Sequence, residues 1–276
     1  MASIKRELAE LGLAPRKKWG QHFLVDRNIL NKVIQVAELE KEDVVLEVGP
    51  GLGEMTLALA RQVKKVIAVE IDPKLVEILK KKTTDLPNVE IIKGDILKID
   101  FNELLDQEGQ RLKVVANLPY QISTPLLFRF IESREDFSAL TLMLQKEVAE
   151  RMIAPPGGKD YGPLSVFTQT VSNLSICFFI KPSAFFPPPK VESAVIRVVW
   201  RERPVVGLEE MEWFKDVVRG CMGYRRKKLM NALKHSDLPL RPDIEQRMEK
   251  IGIDPQRRPG TLTVQEFAHL AEALKP

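Results

Sequence analysis

Val44-Val45-Leu46-Glu47-Val48-Gly49-Pro50-Gly51-Leu52-Gly53 is the stretch on which the fold turns. A short run rich in β-branched side chains passes straight into three glycines at alternate positions, and a helical pattern opens at Glu54 to Thr56. A strand that ends in a glycine turn and leads into a helix puts that turn at the carboxyl edge of a parallel sheet, where open α/β sheets bind nucleotides. Outward from this unit the alternation continues. Further strands are expected at Val66 to Val69, Val89 to Ile92, Val114 to Ala116, Leu140 to Leu144, Leu174 to Ile180 and Ala194 to Trp200. Lys181 to Lys190 separates the last two and is proline-rich, with no room for a crossover helix. That pair is therefore expected to be antiparallel, with the final strand inserted between the fifth and sixth. The fold class predicted is α/β, built on a seven-stranded, mostly parallel sheet.

After Arg203-Pro204 the strand pattern stops. Helical runs follow at Glu209 to Cys221, Arg225 to Lys234, Asp243 to Ile251 and Val264 to Leu274, with prolines between them, so a small C-terminal α-helical domain is expected over 205–276 behind a sheet domain over 1–204. No internal repeat or low-complexity tract interrupts this plan.

Composition narrows the function classes. The chain has 276 residues, 44% of them hydrophobic, enough for a packed core. Its longest apolar stretch, Leu174 to Ile180, is broken by Ser175 and falls far short of the ~20 residues a membrane helix needs. Charges at Lys5, Arg6, Glu7 and Glu10 break up the start of the chain, so no secretory signal and a cytoplasmic location are expected. Cys177 and Cys221 form no CxxC pair, and His22, His235 and His269 lack metal-ligand spacing, so no metal is expected. The net charge of +4 is concentrated toward the two ends of the chain, which suits a polyanionic partner but equally an ordinary solvated surface.

The glycine spacing is selective. It reads G-x-G-x-G, and Glu54 stands where a dinucleotide fingerprint wants its third glycine. An acidic side chain at that helix start repels a pyrophosphate, which favours a cofactor without phosphate there, such as S-adenosylmethionine. Glu70 closes the second strand about 20 residues after the glycines, where a carboxylate accepts hydrogen bonds from both ribose hydroxyls. Asp95 follows the third strand, placed to accept from an adenine amino group while Ile71 and Ile96 sandwich the ring. Each acid taken singly also reads as a turn residue or a helix cap.

Asn117-Leu118-Pro119-Tyr120 follows the fourth strand. An exocyclic amine on a base is a poor nucleophile because its lone pair is delocalised into the ring. Carbonyl oxygens from the Asn117 side chain and the Leu118 backbone can accept its two N–H groups, drawing the nitrogen toward tetrahedral geometry. Pro119 stiffens the turn, and Tyr120 offers a face on which a base can stack. Of Phe185 and Phe186, ahead of Pro187-Pro188-Pro189, Phe185 is the one expected to supply a second wall for a flipped base; packing into the domain junction is the other reading of it.

These residues resemble the ribosomal RNA adenine N6,N6-dimethyltransferase family, and within it the bacterial branch that modifies two adjacent adenines near the 3′ end of 16S rRNA. The resemblance extends through Lys18-Trp19-Gly20-Gln21-His22-Phe23-Leu24, Gln145 to Arg151, the Pro-Pro-Lys-Val-Glu-Ser segment ending at Ser193, Gly223 to Leu233 and Arg258 to Leu262. It implies a Rossmann-like class I S-adenosylmethionine-dependent methyltransferase. It further implies that Gln21, His22 and Leu24 contact the cofactor, that Gly49 and Gly51 approach it closely, and that Glu70, Ile71, Asp95, Ile96 and Asn117 complete its site. His22 stands where many members have asparagine. Lys17, Lys18, Arg225, Arg226, Lys227 and Lys228 are expected to bind RNA, since four consecutive cations at a helix start oppose its dipole unless an external anion offsets them. The expected partner is 16S rRNA in the immature small ribosomal subunit, approached by a monomer. Two other readings fit the same residues: adenine methylation of 23S rRNA or DNA, and a non-catalytic RNA-binding assembly or transcription factor on the same fold.

Overall fold

The computed structural model describes residues 2–16, 19–207 and 209–275. Helix α1 (Ala2–Glu10), the two-residue strand β1 (Phe23–Leu24) and α2 (Arg27–Val36) come first. Strands and helices then alternate through β2 (Val44–Val48), α3 (Glu54–Leu59), β3 (Lys65–Glu70), α4 (Pro73–Lys82), β4 (Val89–Lys93), α5 (Phe101–Glu108), β5 (Leu112–Asn117), α6 (Ser123–Glu132) and β6 (Phe137–Gln145). Helices α7 (Lys146–Ile153) and α8 (Pro163–Val171) lead to β7 (Ser172–Ile180), the short β8 (Phe185–Phe186) and β9 (Ser193–Trp200). Helices α9 (Met211–Gly223), α10 (Leu229–Lys234), α11 (Ile244–Lys250) and α12 (Val264–Ala273) follow.

Seven strands form one sheet in the order β4-β3-β2-β5-β6-β9-β7. The final strand lies between the fifth and sixth of the sheet, as its short proline-rich connection predicts, and it runs antiparallel to β6. The inner pairs β2/β3, β2/β5, β3/β4 and β5/β6 are parallel. Every residue of β2 is buried, which is why that strand reads as an almost continuous apolar run instead of an alternating one. From β2 the chain crosses to β3 on one side, whereas from β5 it crosses to β6 on the other. The carboxyl ends of β2 and β5 therefore flank a topological switch point, where an open sheet leaves a crevice.

Helix starts follow from local chemistry. Asp26, Asp72 and Asp100 cap α2, α4 and α5 by accepting from backbone N–H groups, and Pro73 begins α4 with a preset φ. Beneath the sheet, α2 and α3 bury Leu30, Val33, Ile34, Met55 and Leu59 against Val45, Val66 and Val115. Phe101, Phe130 and Phe137 pack as a stacked and edge-to-face trio.

By contacts the chain forms two compact units, residues 1–149 with 175–199 and residues 150–174 with 200–276. This division differs from the one expected at 204/205, because 150–174 groups with the C-terminal helices. Gly157 N donates to Gly260 O at 2.7 Å, Arg225 to Gly158 O at 3.3 Å, and Phe167 meets Phe214 edge-on. A second feature not foreseen is the small antiparallel sheet in which Phe23 pairs with Phe186 and Leu24 with Phe185.

Candidate active site

At the switch point lies a cavity of about 210 Å³ within the first unit. Gln21, His22, Leu24, Gly49, Gly51, Glu70, Ile71, Asp95, Ile96, Asn117, Leu118, Pro119 and Tyr120 all line it. The glycine turn and the Asn117 turn stand side by side: a Cβ placed on Gly49 would lie 3.6 Å from the Pro119 ring. Gly51 takes φ +60°, and a Cβ there would come within 2.9 Å of the Phe23 ring. Only glycine lets β1 close over the turn.

Glu70 organises this end of the cleft. Its Oε2 accepts from Gly51 N at 3.1 Å and its Oε1 from Asp72 N at 2.9 Å, so one carboxylate ties the glycine turn to the end of β3. Burial raises its pKa, and the backbone donors pull it back. Each oxygen has lone-pair capacity beyond its backbone donor. Asp95 accepts from Leu97 N at 3.0 Å, Ile96 is buried, and Ile71 is 41% exposed at the lip.

Glu47, which sequence reasoning passed over, lines the same cavity and is fully buried in β2. Burial pushes its carboxyl up to about 8; the Thr56 hydroxyl opposes and the Glu70 charge adds. The signal was a glutamate inside an otherwise apolar strand. Between pH 4.5 and about 8 the folded carboxyl keeps a proton that the unfolded chain has lost, so stability falls as pH rises through that window. We expect Glu47→Gln to flatten the fall of Tm over this range relative to the parent, measured by scanning calorimetry; equal slopes for the two proteins would contradict the assignment.

The Asn117 turn is held from several sides. Asn117 Nδ2 donates to His22 O at 2.9 Å. A backbone carbonyl can only accept, so the amide orientation is fixed chemically and Oδ1 is the atom left to accept from a second N–H. His22 Nδ1 lies 2.6 Å from Pro187 O and must carry the proton by the same argument. The His22 ring stacks on Tyr120 at 5.5 Å, and the Tyr120 hydroxyl bonds Ser193 Oγ at 2.6 Å. Burial raises the Tyr120 phenol above its ordinary pKa. Leu118 N donates to Met143 O at 3.1 Å, which fixes the peptide after Asn117.

Phe185 corrects an expectation. It is 2% exposed and packs in the core behind the cavity wall with Leu30, Ile34 and Met55, and does not itself line the cavity. In β8 alternate side chains point to opposite faces, and pairing of Leu24 with Phe185 turns the latter to the core. It is not available as a second wall for a base. Lys17 and Lys18 lie outside the described residues.

The cavity fits S-adenosylmethionine chemically. A turn whose glycines carry no side chains of their own, with carboxyl groups in β2, at the end of β3 and after β4, offers hydrogen-bond acceptors of the kind the cofactor's hydroxyl and amino groups require. The family profile described as ribosomal RNA adenine dimethylase matches residues 12–275. The chain belongs to this family. The ribosomal RNA small subunit methyltransferase A of Geobacter metallireducens is 45% identical over 265 residues, covering 95% of this chain and 96% of that one. Among solved structures, a dimethyladenosine transferase from Plasmodium falciparum superposes with a TM-score of 0.78 at 28% identity, covering 90% and 96% of the two chains. A 23S rRNA methyltransferase, ErmE, superposes with a TM-score of 0.68 at 26% identity, covering 91% and 99%. The expected Rossmann-like methyltransferase fold and the enzymatic reading are both met.

In this dimethylase the basic run sits in the second unit, on the turn between α9 and α10. Arg225 is half-buried by its bond to Gly158 O, and Lys228 donates to Gln256. Lys227 lies 5.1 Å over the Tyr224 ring. Arg226, Lys227 and Lys228 are exposed ahead of α10.

Proposed function

We propose that the protein transfers methyl groups from S-adenosylmethionine to N6 of two adjacent adenines near the 3′ end of 16S rRNA. Its substrate is the immature small ribosomal subunit, and it acts in the cytoplasm as a monomer. The observation that carries this reading is the Asn117 amide, oriented by His22 O at the switch point with its carbonyl oxygen left to accept. Among the described residues no helix is long and apolar enough to cross a membrane.

When bound, S-adenosylmethionine supplies a methyl group on a positively charged sulfur. Glu70 holds the ribose hydroxyls, Asp95 the adenine amine of the cofactor, and Ile71 and Ile96 the faces of that ring. Gly49 and Gly51 let the backbone approach, while Gln21, His22 and Leu24 close the amino-acid end. Asn117 Oδ1 and Leu118 O accept the two N–H groups of the target amine and localise its lone pair, an effect of orientation and charge placement that needs no strong base. Tyr120, immobilised by Ser193 and His22, stacks the flipped base, worth ~1–3 kcal/mol. The alkylated amine gives up its proton to water.

The test is transfer of labelled methyl from S-adenosylmethionine to purified 30S particles, with naked 16S rRNA, 50S particles and duplex DNA as parallel substrates. Strong labelling of immature 30S particles alone is expected; preferential labelling of 50S particles or DNA would replace the substrate assignment. Binding without transfer would replace the enzyme by an assembly factor. The exposed cations grip phosphate without reading sequence. Charge reversal at Arg226 and Lys227 is expected to weaken RNA association about tenfold or more at low salt and to lower the salt slope by about two, one per phosphate contact. An affinity that is unchanged across a salt series removes the turn from the footprint.

A further inference from the structure

Helix α1 forms part of the cleft wall. Ile4 lines the cavity and is buried with Leu8 against Phe23, Leu52 and Leu75. A second cavity of about 30 Å³, between Ile4, Leu24, Val25, Leu30 and Glu54, follows the edge of the helix. Apolar packing along this seam is thus incomplete, and polar ties carry more of its attachment.

One side chain supplies the central tie. Lys82, in the last turn of α4, donates to Leu52 O at 2.8 Å, stands 2.5 Å from Glu7 of α1 and 4.0 Å from Glu54 at the start of α3. Leu52 lies between Gly51 and Gly53, so the same ammonium grips the backbone of the glycine turn and the helix that covers it. The Lys82 and Glu7 side chains are only 24% and 25% exposed, which shields the pair from full screening. Farther along, Arg16 meets the buried Asp72 carboxylate at 3.5 Å and lies 4.7 Å over the Trp19 ring. Asp72 N in turn donates to Glu70. Both ties end on groups that shape the cleft.

We infer that α1 is an ionic latch over the cofactor cleft and that Lys82 is its positioning residue, setting how fast cofactor and spent cofactor exchange. This rests on the reading of the cleft as the cofactor site. Its consequence for the reaction is direct. Each dimethyladenosine consumes two cofactors in succession, so the latch must release once between the two transfers to every base.

The test is the release rate of S-adenosylhomocysteine in a stopped-flow chase, followed through Trp19 at the cleft wall, for the parent, Lys82→Arg, Glu7→Gln and Lys82→Met. Lys82→Arg keeps both bonds and should stay near the parent rate. Glu7→Gln loses the ion pair but keeps the bond to Leu52 O, and should release about threefold faster. Lys82→Met loses both and should release about tenfold faster. Raising salt from about 0.05 to 0.5 M should speed the parent toward Glu7→Gln and speed Lys82→Met, which keeps only the Arg16–Asp72 tie, distinctly less, a dependence that a merely structural lysine does not produce. Glu7→Gln releasing at the parent rate, or salt accelerating all four proteins equally, overturns the latch while leaving the cofactor reading intact. Failure of the parent to bind S-adenosylhomocysteine at all overturns both.

Discussion

Asn117→Ala is expected to lower kcat by roughly 10²–10³-fold, the scale set by removing one preorganised polar group from a reacting centre, while RNA affinity changes little. The variant loses the Oδ1 acceptor for the target amine, and it also releases His22 O, which Nδ2 holds at 2.9 Å. Asn117→Asp separates the two roles. It keeps an acceptor toward the cleft but turns a second oxygen on His22 O, so the turn is repelled where it was bonded, and activity should still fall steeply. Single-turnover methyl transfer to 30S particles measures both variants. A rate for Asn117→Ala within about threefold of the parent would falsify the assignment of the amine acceptor.

Glu70→Ala has the largest expected effect on cofactor affinity, a rise in Kd of about 10²-fold or more, since hydrogen bonds to charged groups contribute about 1.5–3 kcal/mol each. Two losses combine: the ribose loses its acceptors, and Gly51 N and Asp72 N lose the carboxylate that accepts from them. Glu70→Gln should recover little, because each carboxylate oxygen already accepts a backbone N–H and the amide must turn an NH₂ group against one of them. Calorimetric titration with S-adenosylhomocysteine reads the effect directly. A Kd for Glu70→Gln close to the parent value would show that the second backbone contact is dispensable.

Much of the cleft was legible in the sequence because its parts stand at strand ends, where residue type and position constrain each other. Glycines at 49 and 51 follow a β-branched run, Glu70 closes the next strand, and Asn117 closes the fourth. Strand periodicity located these termini, and the switch point brought them together. Phe185 and Phe186 were harder. Adjacent residues of a strand face opposite ways, and which one meets the core depends on pairing with Leu24 across a long sequence separation. Glu47 was hidden because a lone acid in an apolar strand carries no periodic signal, although its burial makes it the most perturbed carboxyl at the site. Lys82 ends the run Lys80-Lys81-Lys82, which by sequence is an ordinary solvated helix end matched to the dipole; only tertiary packing brings Glu7 of α1 and Glu54 of α3 to its charge. Residues 150–174 read as part of the alternating α/β pattern, and their grouping with the C-terminal helices depends on contacts such as Gly157 with Gly260 that no local pattern encodes.

The central claim is that the turn after β5 presents adenine N6 for methylation beside the glycine-lined cleft. Its most direct test is nucleoside mass spectrometry of 16S rRNA after immature 30S particles have been incubated with the purified protein and isotopically labelled S-adenosylmethionine. The account predicts N6,N6-dimethyladenosine carrying two labelled methyl groups, at two adjacent positions near the 3′ end, and none of it with Asn117→Ala. Label on ribose, on a ring nitrogen or on another base would contradict it.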